Sequence, residues 1–512
     1  MIRSIIAMAF GVMATLAGLS AQQPDRNRLA AAFAEVDRLM TEYAAQAHAP
    51  GAAWGVIVDG QLAHAGVTGF RDLSTKSPVD TDTVFRIASM TKSFTAMSIL
   101  KLRDEGKLSL DDPAERYVPE LKALKYPTSD APKITVRHLL SHAEGFPEDN
   151  PWGDRQLADT EDQLSEKMRG IPFSNVPGVA YEYSNFGFAI LGRMISNVSG
   201  TRYPEYVAAN ILRPLGMTST TLEPKDVPPN RLALGYRWED EQWKAEPLLS
   251  NGSFGSMGGM LTTIRDLSRY VAVFLAAWPA HDGAETAPVR RASLREMQQV
   301  WRPSPVTVGR DANGALQLNA GGYAYGLRVA QSCAFRHVVS HTGGLPGFGS
   351  IMLWLPDYGV GFVAFGNVTY TSWTRVTTTA AEAFVKTAGL EPRQPQPSAA
   401  LVDARDKVSR LVARWDDRLA DSIAAENLFL DVSRDRRRAE IERLHAAVGA
   451  CRSDVSSFDT IENALRGLWT VSCERGTLQV AITLAPSMPP TVQYLSVRPS
   501  PAAPPSGERC MP

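Results

Sequence analysis

Two hairpin signals lie at opposite ends of a long stretch of this chain. In the first, AWGVIV (Ala53–Val58) and QLAHAGVTG (Gln61–Gly69) flank Asp59-Gly60, two residues that tolerate the positive φ of a tight turn. In the second, SIMLWL (Ser350–Leu355) and VGFVAFG (Val360–Gly366) flank Pro356-Asp357-Tyr358-Gly359. Strands at both ends with helix-rich sequence between them imply one antiparallel sheet built from both termini of a domain and covered by helices. The fold class is therefore mixed α+β, with a helical subdomain inserted in the middle. Residues 25–388 read as this large domain.

The rest of the 512 residues divides by composition. GLEPRQPQPSAA (389–400) reads as a Pro-rich linker. Residues 401–498 read as a small α+β accessory domain, with helical periodicity over Leu401–Ala425 and Arg437–Val448 and strands LWTVSC, TLQVAITL and TVQYLSV. The tail, 499–512, is too rich in proline to pack and is expected to be disordered. Residues 1–21 have Arg3, an apolar run from Ile5 to Leu19 and small residues before Gln22, the pattern of a signal peptide. The run is short for a membrane span. The expectation is a periplasmic or secreted protein with no stable membrane anchor after cleavage. That compartment permits disulfides, and of the four cysteines Cys451 and Cys473 are the expected pair, with Cys333 alone and Cys510 in the tail. A net charge of −1 provides no basic field for nucleic acid, which leaves a small-molecule or peptide substrate as the expected partner. Nothing in the composition sets the oligomeric state.

TVFRIASMTKSFTAMSIL (Thr83–Leu100) places Ser89 three residues before Lys92 at the front of an amphipathic helix whose apolar stripe is Phe94, Met97 and Leu100. Ser98 and Lys101 repeat the spacing. At about 100° per residue, Ser98 would point to the far side of the same helix. Only Ser89 sits at a helix start, where unpaired amides and the positive dipole end stabilise an oxyanion and a lysine one turn on lies beside the hydroxyl. Downstream, Tyr183-Ser184-Asn185 offers a phenol and a carboxamide, and His341-Thr342-Gly343 opens a strand. Together these are the groups an acyl-transfer site needs beyond its nucleophile.

In order and spacing, SMTK, YSN and HTG resemble the three motifs of the serine β-lactamase superfamily, most closely its class C β-lactamase, DD-carboxypeptidase and family VIII esterase-like branch. ITVRHLLSHAEGFP, ILRPLGMTST, GSMGGMLTTIRDLSRY and YGLRV resemble further family stretches, so that the likeness covers roughly residues 30 to 390. The resemblance implies a β-lactamase/transpeptidase-like fold in which Ser89 is acylated and Lys92 and Tyr183 share its deprotonation, with the choice of base open. It implies that Tyr183 passes a proton to the leaving group and that Asn185 orients the substrate and Lys92. The amides of Ser89 and Gly344 would form the oxyanion hole, with His341, Thr342 and Gly343 facing the substrate. The departure is His341, where β-lactamases carry lysine. A histidine that is neutral above its usual pKa supplies less attraction for a carboxylate, so slow turnover of penicillins and faster turnover of esters or peptides is the expectation.

No cofactor is expected. His138 and His142 are four apart in RHLLSH but lack a third marked ligand, and read as helix-packing residues rather than a metal site. GSMGG (255–259) reads as a loop. The sequence thus points to an extracytoplasmic serine hydrolase acting on an amide, a D-amino-acid peptide or an ester. The competing readings are a β-lactamase proper and a catalytically silent module that binds penicillin or peptidoglycan fragments.

Overall fold

The computed structural model describes residues 26–150, 152–310 and 316–500. The expected signal peptide and Cys510 lie outside the described residues. Asp59 (φ 47°) and Gly60 (φ 76°) both adopt the left-handed conformation, so the first hairpin closes in two residues with Val58 opposite Gln61. The second closes through the 3-10 turn Pro356–Tyr358 and Gly359 at φ 68°. The strand Gly51–Val58 then pairs antiparallel with Val360–Gly366, from Ala52 opposite Gly366 to Val58 opposite Val360. The two ends of the domain thus share the centre of one sheet.

Among the described residues that sheet has nine strands. In spatial order they are Ser77–Pro78, Gln61–Asp72, Gly51–Val58, Val360–Gly366, Phe348–Leu355, Val338–Leu345, Arg328–Ser332, Leu316–Tyr323 and Arg302–Arg310. Successive side chains of the central strands point to opposite faces, and both faces are covered. Ala52, Trp54, Val56, Ile351, Leu353 and Phe362 pack beneath the helices Arg26–Gln46 and Thr374–Ala388. Ala53, Ile57, Met352, Trp354 and Phe365 pack against the larger core, which contains the helix Ile264–Ala276 and the inserted helical region. Burial on both faces explains why GAAWGVIV has no polar alternation.

In the small domain the helical stretch expected over Leu401–Ala425 is two helices, Ala399–Ala413 and Asp417–Ile423, because Asp416 caps the second by accepting from the Leu419 amide. Two more, Leu428–Asp431 and Arg434–Val448, follow. The sheet has four strands, Thr460–Asn463, Arg466–Cys473, Gly476–Leu484 and Val492–Pro499, in sequence order; the first was not expected. Trp469 is fully buried between sheet and helices, its indole N–H donating to Ser409 Oγ at 2.9 Å. The linker is tied to both domains through two adjacent residues. Arg393 donates to Asp59 Oδ1 (2.7 Å), and Gln394 bonds the carbonyl of Asp459 and the amide of Ile461.

Cys451 and Cys473 are joined by a disulfide. Cys333, read from the sequence as standing alone, is disulfide-bonded too; pairing depends on where the chain returns in space, which spacing does not show. No helix among the described residues is long and apolar enough to cross a membrane. Replacing Cys451 and Cys473 by serine is expected to lower the stability of the small domain by about 2–4 kcal/mol, through restored freedom of the unfolded chain. Urea denaturation followed by pulse proteolysis checks this, and an unmoved midpoint contradicts it.

Candidate active site

Ser89 is positioned by a strained turn. After the strand Phe85–Arg86 the chain passes through Ala88 at φ 48° into a 3-10 turn, Ala88–Met90, and then into the helix Thr91–Asp104. A non-glycine residue in this conformation costs on the order of 1 kcal/mol or more. Ser89 thus stands just ahead of the α-helix rather than in its first turn. The turn lies flat against the strand Val338–Leu345: a Cβ on Gly343 would come within 2.1 Å of the Ile87 carbonyl oxygen, to which Ser350 Oγ donates at 2.9 Å. Gly343 is therefore required for clearance. The helix is buried on every side from Thr91 to Leu100, not amphipathic as its stripe suggested. Ser98 is fully buried and donates to the Phe94 carbonyl at 2.9 Å, away from any cleft.

Lys92 is completely buried. Its Nζ lies 3.1 Å from Ser89 Oγ, 2.6 Å from Asn185 Oδ1 and 2.8 Å from the Met257 carbonyl oxygen. An ammonium donates to all three. A neutral amine keeps its two N–H bonds to the carbonyl oxygens and turns its lone pair to the serine hydroxyl. Burial pulls the Lys92 pKa down to about 7, against the opposing pull of Asp154 and Asp149. Met257 lies in a one-turn helix, Gly255–Gly258, so the stretch read as a loop supplies a ligand for the lysine.

Asn185 is held in turn. It begins the helix Asn185–Ser199, its Nδ2 donates to Asn150 Oδ1 (2.6 Å), and its amide and that of Phe186 donate to Asp149 at 2.6 and 2.8 Å. Tyr183 is partly exposed in the cleft; its hydroxyl is hydrogen-bonded to Ser89, and its ring centroid is 4.8 Å from Lys92 Nζ. Burial pushes the phenol far above its usual range, so it retains its proton. Thr342 and Gly344 line the same cleft of about 730 Å³. The strand carrying them is paired to Arg328–Ala330 only through Ser340. From His341 onward that edge is open.

His341 differs from its expected role. It is 2% exposed, with Nδ1 at 2.6 Å from the Thr342 carbonyl and Nε2 at 2.9 Å from the Tyr323 hydroxyl. Nδ1 carries the hydrogen and Nε2 accepts from the phenol, leaving neither nitrogen for a substrate. Burial, reinforced by Lys92 and Arg328, lowers its pKa to about 3. The permanent cation of the cleft is Arg328, exposed and donating to the Tyr181 hydroxyl at 3.2 Å. It was missed, although it stands in YGLRV as the basic residue of the strand preceding the motif.

The two other histidines do not share a helix face. His138 is in the helix Val136–Leu140 and completes a capping box with Thr135. His142 lies beyond the helix end at φ 53°, fully buried, accepting from the Ser184 amide and packing 4.4 Å from the Tyr183 ring. No group of three or more His, Cys, Asp or Glu side chains able to hold a metal occurs among the described residues.

A helical subdomain clasped to an antiparallel sheet, with a Ser-x-x-Lys turn at their junction, defines the β-lactamase/transpeptidase-like fold. The chain belongs to the Beta-lactamase family, whose model matches residues 36–386. It is 28% identical over 341 residues to Protein flp of Staphylococcus aureus (strain N315), a match covering 65% of this chain and 63% of that protein. This chain thus spans less than two thirds of that relative's length. Beta-lactamase-like protein 2 of Dictyostelium discoideum is 35% identical over 206 residues, 39% of this chain and 37% of its own. Among solved structures, the octameric penicillin-binding protein homologue from Pyrococcus abyssi superposes with a TM-score of 0.59 at 21% identity, covering 88% of this chain and 96% of that one. At that identity the likeness speaks for the fold.

Ser89→Ala is expected to abolish turnover, whereas Ser98→Ala stays within a few-fold, because only Ser89 faces Lys92. Equal losses in a steady-state assay would contradict the assignment. Arg328→Ala is expected to lower kcat/KM for a substrate with a carboxylate on its leaving group about tenfold relative to its methyl ester. An unaltered ratio would show that Arg328 does not meet that group.

Proposed function

We propose that this protein is a serine hydrolase of the periplasm or the extracellular space, cleaving an amide, a D-amino-acid peptide or an ester through an acyl-enzyme on Ser89. The observation that carries the reading is the buried Lys92 amine 3.1 Å from Ser89 Oγ, with its pKa lowered to about 7. The serine proton passes to neutral Lys92 as Oγ attacks the carbonyl carbon. The carbonyl oxygen develops its charge between the Ser89 turn and Gly344. Tyr183, still protonated, gives its proton to the departing amine or alkoxide and is reprotonated from Lys92. Water then enters and the same groups run in reverse to free the acid. Raised phenol and lowered amine favour Lys92 over Tyr183 as the base.

Arg328 bears on the substrate. The weak attraction expected of His341 for a carboxylate is replaced by a guanidinium at the cleft, which favours peptides and β-lactams as well as esters. The likeness to the penicillin-binding protein homologue from Pyrococcus abyssi supports including β-lactams among the compounds tested.

Incubation with a fluorophosphonate or a penicillin followed by intact-mass measurement is expected to show one adduct, absent in Ser89→Ala. No adduct on the unaltered protein would favour the silent binding module instead. The rate of ester hydrolysis is expected to rise with pH through about 7, since the amine that accepts the serine proton is present only above the Lys92 pKa. Lys92→Ala should remove that rise and about 10²–10⁴-fold of the rate. A flat profile in the unaltered protein would exclude Lys92 as the base.

A further inference from the structure

The cleft also holds a carboxyl that no step of this reaction uses. Asp154 is 3% exposed and lines the cleft with Glu148 and Asn150. Tyr370 donates to its Oδ2 at 3.0 Å. Among the described residues nothing donates a hydrogen bond to Oδ1, and no lysine or arginine forms an ion pair with Asp154. A carboxylate out of water with no partner cation is unfavourable. The charges that offset it are Lys92 and, more weakly, Arg155, and Lys92 acts as base only after losing its own charge. Burial raises the Asp154 pKa to about 6, so with Lys92 neutral the carboxylate keeps its charge only where another cation meets it.

Its place along the motif strand says which part of a substrate could supply one. Arg328 pairs with Ser340 at one end of the open edge. At the other end Tyr370 lies over Gly344, where a Cβ would be 2.9 Å from its ring. At roughly 3.3 Å per residue the four steps from Ser340 to Gly344 span about 13 Å. Tyr181, bonded to Arg328, lines the Arg328 end, and Tyr183, the proton donor to the leaving group, lies with its ring centroid 6.4 Å from that of Tyr323, over whose ring Arg328 sits. The leaving group thus departs toward Arg328, and the acyl portion extends toward Tyr370 and Asp154.

We infer that the acyl half of the substrate carries a protonated amine, which pairs with Asp154 while Tyr370 fixes the orientation of the carboxyl. The substrates so selected are amides, esters or short peptides of an amino acid with a free amino group. This rests on the acyl-transfer reading above and narrows it.

The test compares alanine p-nitroanilide, in both hands, with its N-acetyl counterpart, using p-nitrophenyl acetate as an uncharged control. The unaltered protein is expected to prefer the free amine by about tenfold or more in kcat/KM. Asp154→Asn should bring the two substrates within about threefold, and Tyr370→Phe should reduce the preference in part. An effect of Asp154 exerted only through Lys92 alters both substrates alike and leaves their ratio intact, so a retained preference in Asp154→Asn overturns the inference. It is equally overturned if the unaltered protein hydrolyses the acetate ester yet shows no preference for the amine, or rejects both anilides. Failure on the acetate ester as well, with no acyl adduct, removes the acyl-transfer reading and this inference with it. Circular dichroism of each variant establishes that it is folded.

Discussion

The removal of water from around Lys92 is the constraint on which the rest of the site depends. A solvated lysine is protonated at neutral pH and is no base. Here the amine is surrounded by groups from three separate parts of the chain: the nucleophile turn with Ser89, the helix beginning at Asn185, and the one-turn helix containing Met257. Each must be in place for the pKa to fall, so the packing of the helical region against the sheet is also what would make the serine reactive in the proposed acyl transfer. Backbone strain at Ala88 and the missing side chain at Gly343 serve the same end. They let the turn lie flat on the strand, where a larger residue would hold it off.

The reading from sequence succeeded where local chemistry and spacing coincide. Asp59-Gly60 could hardly be anything but a tight turn, and two hairpins with helices between them led to a sheet closed by both ends of the domain. Ser89, Lys92, Tyr183 and Asn185 are brought together around one cleft, as their order in the chain suggested. What remained hidden is of another kind. The Met257 carbonyl belongs to the backbone, and no residue type announces it. The histidine of His-Thr-Gly looks like a ligand for substrate until Tyr323, eighteen residues earlier, is seen to occupy its Nε2. Asp154 lies in a stretch with no motif, and its burial comes from the fold around it.

Similar reasons account for the small domain. Periodicity carries through Trp415 in the sequence, but the Asp416 cap starts a new helix there. The short strand Thr460–Asn463 is polar and mostly exposed, so nothing in its alternation marks it. The linker, flexible by composition, is tied down by Arg393 on the first hairpin turn and Gln394 on the small domain. Proline content limits what the backbone can do; it does not decide whether side chains anchor it.

The open edge from His341 to Gly344 separates two tasks along one strand. Its middle, against Ser89, is fixed by steric necessity and admits little variation. Arg328 and Tyr370 stand at its ends on different segments, neither of which holds the nucleophile turn. Replacing either changes what the cleft meets without moving the lysine or the serine. A lineage built on this frame could therefore change what the cleft receives by exchanging terminal residues singly, with the Ser89–Lys92 pair kept at every intermediate.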